Sequence, residues 1–431
     1  MTYNEAVEKI NSLLIFGAKP GLERISELAK RIGSPDKKLK FVHAAGTNGK
    51  GSTCSLIASA LTEAGFKTGL FISPYVLEFR ERFMIDGEMI PHGTLADIVE
   101  RLFPVIEEMK AEGKIITEFE FVLAIALKWY EEENCDFVVL ETGLGGRFDA
   151  TNIIDTPLVS VITSISLDHT KILGDTYDKI AFEKCGIIKN NGITVAYADQ
   201  KPEAMEVIRT AAEERHNKLY VADPSEAEII RSDIRGTHFR FVSDHHPIEI
   251  TIGLIGEHQV KNAVTALYAI KALMERGTNI PDSAVINGFR KVRFPARLEL
   301  LNEKPIIFLD GAHNPDGAAA LAGALEKYLG GKRLIGIVGM LADKDVSSAL
   351  SVLLPLFDEV VTTAPDNPRK MSPEELAELV KSYCTKVHPE NDHEKAYRKA
   401  LSLTGESDAL IIFGSLYLAS DMRRIITANN S

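Results

Sequence analysis

The sequence predicts an α/β protein of two domains: a mostly parallel, P-loop-type sheet domain followed by a smaller, Rossmann-like α/β domain. Three observations predict it. Short apolar runs alternate with helix-patterned stretches along the chain, as in βαβ units on a parallel sheet. A glycine-rich lysine loop stands between the first such run and the first such helix. The 431 residues also exceed one compact core, since domains usually run to about 100–200 residues.

In chain order, KFVHAA (40–45) reads as a strand, and SLIASALTEAG (55–65) as the helix after the loop. Leu56, Ile57, Ala60, Leu61 and Ala64 fall at helical spacing, and Gly65 supplies the stop. TGLFI (68–72), DFVVL (136–140), PLVSVIT (157–163) and GITVAYA (192–198) read as buried strands. HFRFV (238–242) and IEITIGL (248–254) alternate more and suggest an antiparallel hairpin or appended edge. A helical stretch, KNAVTALYAIKALMERG, follows. The basic, proline-containing GFRKVRFPARLEL (288–300) reads as the interdomain connection. PIIFLD, RLIGIVG, EVVTTA and ALIIFG then open a second α/β series.

The formal net charge of −12 argues against broad nucleic-acid binding, which needs a positive surface. The four cysteines are scattered and form no C-x-x-C, as expected of reduced thiols in a cytoplasmic protein. The start carries early acids and lacks a secretory pattern. FVLAIALKWY is interrupted by Lys128, far short of the ~20 apolar residues of a membrane span. No membrane association is expected.

HAAGTNGKGST (43–53) differs from the familiar G-x-x-x-x-G-K-[ST] loop. Ala44 stands where the first glycine belongs, and Gly51 displaces the hydroxyl to Ser52. The strand–loop–helix context still suits phosphate. Glycines let backbone N–H groups approach, Lys50 can reach outer phosphates, and Ser52 can cap the helix or help hold Mg²⁺. The plainer reading is a turn capped by Ser52.

In open α/β sheets ligands bind outside the carboxyl ends of the strands. Four predicted strands end in suitable chemistry: the loop, Ser73 in ISPYV, Glu141 in VVLETGLGG, and Asp168 with His169 in SISLDHT. Parallel strands would bring them to one edge, with Glu141 placed as a Walker-B-type Mg²⁺ carboxylate. Singly, each also reads as a turn serine, a solvated strand end or a capping pair.

GTNGKGS, SPYVLEFRER, ETGLGGRFDATN, SLDHT, EKCGIIK, GEHQVKNA, FPARLE and DGAHNPDG occur in this order between residues 46 and 317, within a match that runs from about residue 20 to 320 and more loosely to the end. Together they resemble the folylpolyglutamate synthase/dihydrofolate synthase family of the Mur ligase superfamily. In that superfamily the lysine-glycine-hydroxyl spacing is ordinary, so the resemblance makes the loop intact. It implies an ATP-binding ATPase domain with a folate site over 1–294 and a glutamate-ligase domain over 295–431. It further implies that Asn48, Gly49, Lys50, Gly51 and Ser52 wrap the ATP phosphates, and that Ser73 and Glu141 hold one Mg²⁺. His169 would hold a second with Lys184, the latter as a lysine carbamate formed from CO₂. Lys184 otherwise reads as a helix-surface lysine, and Cys185 stands where the family carries another small residue.

Asn262, Arg297 and Asp310 resemble ATP-contacting residues, and Arg297 offers a guanidinium fork to anionic oxygens. His313 resembles a catalytic or glutamate-positioning residue, and Ser415 a substrate contact. Thr117, Phe119, Phe148, Asp149 and Ala150 would line the pterin side of a folate, with Arg82 near substrate carboxylates. The implied reaction is ligation of L-glutamate to dihydropteroate or a reduced folate through an acyl phosphate, with ADP and phosphate released and domain closure excluding water. A monomer is expected. Peptidoglycan-precursor ligases share the core but carry a UDP-sugar domain ahead of the loop, for which about 40 residues is too short. A nucleotide switch would not need His169 or Lys184.

Overall fold

The computed structural model describes residues 1–13, 21–243, 246–342 and 345–429. The first sheet comprises β1 (Phe41–Ala45), β2 (Thr68–Phe71), β3 (Phe83–Ile85), β4 (Glu88–Met89), β5 (Phe137–Glu141), β6 (Val159–Ile162), β7 (Ile193–Tyr197) and β8 (Lys218–Ala222), in the order β4-β3-β2-β5-β1-β6-β7-β8. From β2 through β8 every pairing is parallel. Only the two edge pairings, β2 with β3 and β3 with β4, are antiparallel.

The central strands β1, β2, β5, β6 and β7 are buried at every position, as expected where helices cover both faces. One face packs on the helices Tyr3–Asn11, Glu23–Arg31, His92–Ala111 and Glu118–Glu132, around Phe71, Phe83, Phe121 and Leu140. Another cluster joins Ala45, Ile162, Ile180, Ile187, Ala196 and Ile208. The helix Lys50–Glu63 begins directly after the loop and packs on β2 and β5.

Strands β9 (Ala227–Asp233), β10 (Gly236–Ser243) and β11 (His246–Ile252) form a separate sheet in the order β11-β10-β9. His238 meets Thr251 and Arg240 meets Glu249. Rising numbers on one strand thus meet falling numbers on the other, the expected antiparallel hairpin. The second large sheet comprises β12 (Glu299–Glu303), β13 (Ile306–Leu309), β14 (Leu334–Val338), β15 (Glu359–Thr362), β16 (Val387–Pro389) and β17 (Ala409–Phe413). Its order is β12-β13-β17-β14-β15-β16, and only β12 is antiparallel.

Two compact units divide the chain. One holds Met1–Ala227, Phe241–Ile248 and Lys261–Lys291, and the other holds Glu228–Arg240, Glu249–Val260 and Val292–Ser431. The stretch 288–300, read as one connection, is shorter than that. The helix Asp282–Lys291 takes its start and β12 takes its end. Among the described residues no helix is long and apolar enough to cross a membrane.

Candidate active site

The site is built where parallel strands end together. Ala44 lies opposite Glu141, and Ala45 opposite Ile162. The residues after β1, β5 and β6 therefore emerge at one rim, and β2 delivers Ser73 beside them. Ser73 donates its backbone N–H to Glu141 Oε2 at 3.2 Å, while Glu141 Oε1 lies 3.8 Å from Lys50 Nζ. Of the expected convergence of glycine loop, serine, glutamate and histidine, these contacts bring the first three together.

The loop is zipped to the segment following β6. Thr47 N and Asn48 N both approach Ser164 O, at 2.7 and 3.4 Å, and Ser164 Oγ donates to Asn48 O at 3.3 Å. Thr47 Oγ1 and the Ser166 backbone exchange two further bonds. Gly46 has no room for a side chain, because a Cβ there would sit 1.8 Å from Thr163 Oγ1. Gly49 has φ of 83°, a left-handed conformation favouring glycine, and a Cβ on it would meet Asn262 Oδ1 at 2.4 Å. Asn262 is thus held against the turn that begins the helix. Ser52 is buried in the first helical turn behind Gly51.

Lys50 Nζ donates to Gly46 O and Thr47 O at 3.1 and 3.3 Å. Lys184 Nζ donates to the same Gly46 O at 2.6 Å. Lys184 ends the helix Tyr177–Lys184 and is 4% exposed, so it is no surface lysine. Burial holds its amine down to about 7, with Lys50 adding to the effect and Asp168 opposing it. Desolvation penalises the charged form, and a second ammonium nearby does the same.

His169 sits at the start of the short helix Thr170–Leu173 with φ of 51°. Its side chain is 43% exposed, with Nε2 4.0 Å from Asp168 Oδ1. Among the described residues, no three His, Cys, Asp or Glu side chains form a ready metal cage.

Among the residues expected to meet a pterin, Thr117 caps the helix Glu118–Glu132. Its hydroxyl accepts from Glu120 N and donates to Glu120 Oε2, a reciprocal capping box. Phe119 stacks obliquely on Phe71 with centroids 5.9 Å apart. Arg82 lies over Tyr75 and Phe79 and pairs with Glu118 at 3.3 Å. Phe148 is exposed, and the Arg147 guanidinium lies over both it and Phe182. Asp149 is buried and folds its own loop, accepting from Leu144 N, Thr151 N and Thr151 Oγ1. Burial pushes its carboxyl up, against those hydrogen bonds. Ala150 is buried beside it.

In the second unit, Asp310 is half-buried and accepts from Leu298 N and Ala312 N, both at 2.7 Å. Burial raises its carboxyl, while Arg297 is the foremost opposing influence. Arg297 is flanked by Ala296 and Leu298 at φ of 54° and 47°. Two adjacent-but-one residues in this region mark a backbone held in a costly shape. His313 Nδ1 lies 2.8 Å from Gly311 O. A carbonyl cannot donate, so Nδ1 is the donor in this contact. Ser415 is buried and its Oγ accepts from Leu418 N.

Sequence reasoning passed over Thr163, Arg147 and His43. Only His43 left a signal: it is the single polar residue in a strand otherwise apolar throughout.

Two family models match the chain: the Mur ligase middle domain over residues 44–270, and the Mur ligase, glutamate ligase domain, over residues 296–416. The dihydrofolate synthase/folylpolyglutamate synthase of Bacillus subtilis (strain 168) is 37% identical over 428 residues, covering 98% of each chain. The folylpolyglutamate synthase of Lacticaseibacillus casei is 34% identical over the full length of both. Mycobacterium tuberculosis folylpolyglutamate synthase complexed with ADP superposes with a TM-score of 0.91 at 32% identity, covering 98% of each chain. E. coli FolC in complex with DHPP and ADP superposes with a TM-score of 0.87 at 28% identity, covering 100% of this chain and 99% of that one. With the loop, the rim carboxylate and both domain types matched along its length, the chain belongs to the folylpolyglutamate synthase/dihydrofolate synthase family of Mur ligases.

Proposed function

We propose that this enzyme is an ATP-dependent ligase that adds L-glutamate to folates, and to dihydropteroate to make dihydrofolate, through an acyl phosphate. The observation that carries the reading is the meeting of Lys50, Ser73 and Glu141 at one strand rim beside the glycine loop. A carboxylate is a poor electrophile and hydroxide a poor leaving group. Transfer of the ATP γ-phosphoryl to the substrate carboxylate overcomes both. The glutamate amine then attacks the acyl carbon, phosphate leaves, and the amine gives up a proton.

In this reading Asn48 to Ser52 wrap the triphosphate, Asn262, Arg297 and Asp310 complete the ATP contacts, and Lys50 offsets charge on the transferring phosphoryl. Domain 1–294 carries ATP and folate, and domain 295–431 the incoming glutamate. Thr117, Phe119, Phe148, Asp149, Ala150 and Arg82 serve the folate. Ser415 contacts substrate, and His313, through Nε2, accepts the proton from the amine.

The donors fit Mg²⁺. Ser73 and Glu141 offer hard oxygens, and Mg²⁺ in such sites needs only one or two carboxylates besides the substrate phosphates. His169 and Lys184 would hold a second ion, with Lys184 as a carbamate. An amine held down to about 7 is substantially neutral near neutral pH, the form that adds CO₂. Bound there, Mg²⁺ would supply positive charge to the phosphate oxygens. A cytoplasmic monomer accepting either dihydropteroate or a reduced folate completes the reading.

Phosphate release tests it. The enzyme with Mg·ATP should release phosphate only when both glutamate and dihydropteroate or tetrahydrofolate are present. Slow release independent of glutamate would point instead to a nucleotide switch.

A further inference from the structure

His43 is buried at the centre of β1, where an apolar residue would serve the core better. Its Nδ1 is buried with no hydrogen-bond partner among the described residues, an arrangement that costs stability. Its Nε2, by contrast, lies 2.8 Å from Thr151 Oγ1. Thr151 Oγ1 in turn lies 2.5 Å from Asp149 Oδ1.

The proton directions in this chain are fixed. A carboxylate only accepts, and a hydroxyl has one proton to give. Thr151 therefore donates to Asp149 and must accept from His43, so the ring proton sits on Nε2. The ring stays neutral, since burial, with Lys189 adding, holds His43 down to about 3. Asp149 Oδ1 is occupied by both Thr151 donors and Oδ2 by the Leu144 amide, and the Gly143 amide also acts on the carboxylate. Of the two oxygens, Oδ2 accepts fewer of these side-chain and loop bonds, so it is the one a ligand N–H would meet.

We propose that His43 is a positioning residue for pterin recognition: through Thr151 it fixes Asp149 so that Oδ2 faces the N–H donors on the 2-amino-4-oxo edge of the ring. The proposal rests on the reading of Asp149 as the pterin acceptor. It also means that the strand ending in the phosphate loop sets the aim of the pterin acid.

The test uses the full-length enzyme and its His43→Leu, His43→Gln, Thr151→Val and Asp149→Asn variants. KM is measured for dihydropteroate and for ATP, with thermal unfolding as a check on folding. Leucine suits a buried strand, and a glutamine side-chain amide can place an N–H near the lost Nε2. Thr151→Val, which removes a hydrogen bond to the charged carboxylate, should raise the dihydropteroate KM by about tenfold, and His43→Leu, which removes the neutral bond that orients Thr151, by about fivefold. The double variant should add little to either, ATP KM should stay within about twofold, and His43→Gln should recover most of the loss.

An unchanged dihydropteroate KM in folded His43→Leu would overturn the proposal. So would parallel rises for both substrates, or a glutamine variant no better than leucine. Asp149→Asn separates the two levels. If it raises the dihydropteroate KM while His43→Leu does not, only the proposal falls. If it changes nothing, the reading of Asp149 falls and takes the proposal with it.

Discussion

Lys50 and Lys184, far apart in sequence, donate to the same carbonyl oxygen, that of Gly46, at 3.1 and 2.6 Å. Two ammonium groups on one acceptor repel, and the buried one is held down to about 7. The loop is thus braced by one lysine suited to phosphate and another poised to lose its charge.

Replacing Lys184 separates structure from chemistry. Burying an amine that must shed its charge opposes folding, so Lys184→Met in metal-free buffer should unfold a few degrees higher than the wild type. Its ligase turnover should fall by about 100-fold or more, as for loss of a group acting on the transferring phosphoryl, while nucleotide binding persists. Turnover of CO₂-depleted wild-type enzyme should recover on adding bicarbonate. A bicarbonate-independent rate would remove the carbamate from the account.

Gly46 tests the fit of the loop. Its missing Cβ leaves room for Thr163 Oγ1, which would lie 1.8 Å away, with Thr163 Cβ at 3.0 Å. Gly46→Ala should therefore cost about 1–3 kcal/mol of stability through overpacking and weaken ATP binding. Adding Thr163→Ala should recover part of the loss. Urea unfolding and ATP titration check this, and a fully stable Gly46→Ala with normal ATP binding would contradict the close packing.

His43 gives a pH signature. Its value of about 3 lies below the 6.5 of a free imidazole. Between these values the unfolded chain binds more protons than the folded one, so stability falls as pH drops through the window. The loss between about pH 7 and 4 should be smaller in His43→Leu by about 3 kcal/mol. Parallel urea midpoints for the two proteins across that range would show that His43 is not buried as described.

The sequence disclosed the strands that are buried on both faces, because continuous apolar runs leave few alternatives, and it disclosed the loop because strand, glycines, lysine and helix stand together. It did not disclose β12, whose ELLNE carries acids at both ends, or the short edge strands β3, β4 and β16. Edge strands lack the apolar excess that burial imposes. Lys184 was opaque for another reason: its acceptor lies 138 residues away, and nothing local distinguishes it from a solvated lysine. Thr117 carried a signal that was read only for ligand contact. T-x-x-E ahead of an apolar run is a capping box, and the hydroxyl is engaged there. Asp310 was legible as an acid in DGAHNPDG, but its grip on the left-handed turns around Arg297 was not, because backbone shape leaves no mark on non-glycine residues.

The central claim is that Lys50, Ser73 and Glu141 frame a site where phosphoryl is passed to a folate carboxylate. Dihydropteroate labelled with ¹⁸O in its carboxylate, incubated with Mg·ATP and L-glutamate, tests this directly. Attack of a carboxylate oxygen on the γ-phosphorus predicts one ¹⁸O in the inorganic phosphate released with each amide formed. Unlabelled phosphate alongside labelled product would contradict it.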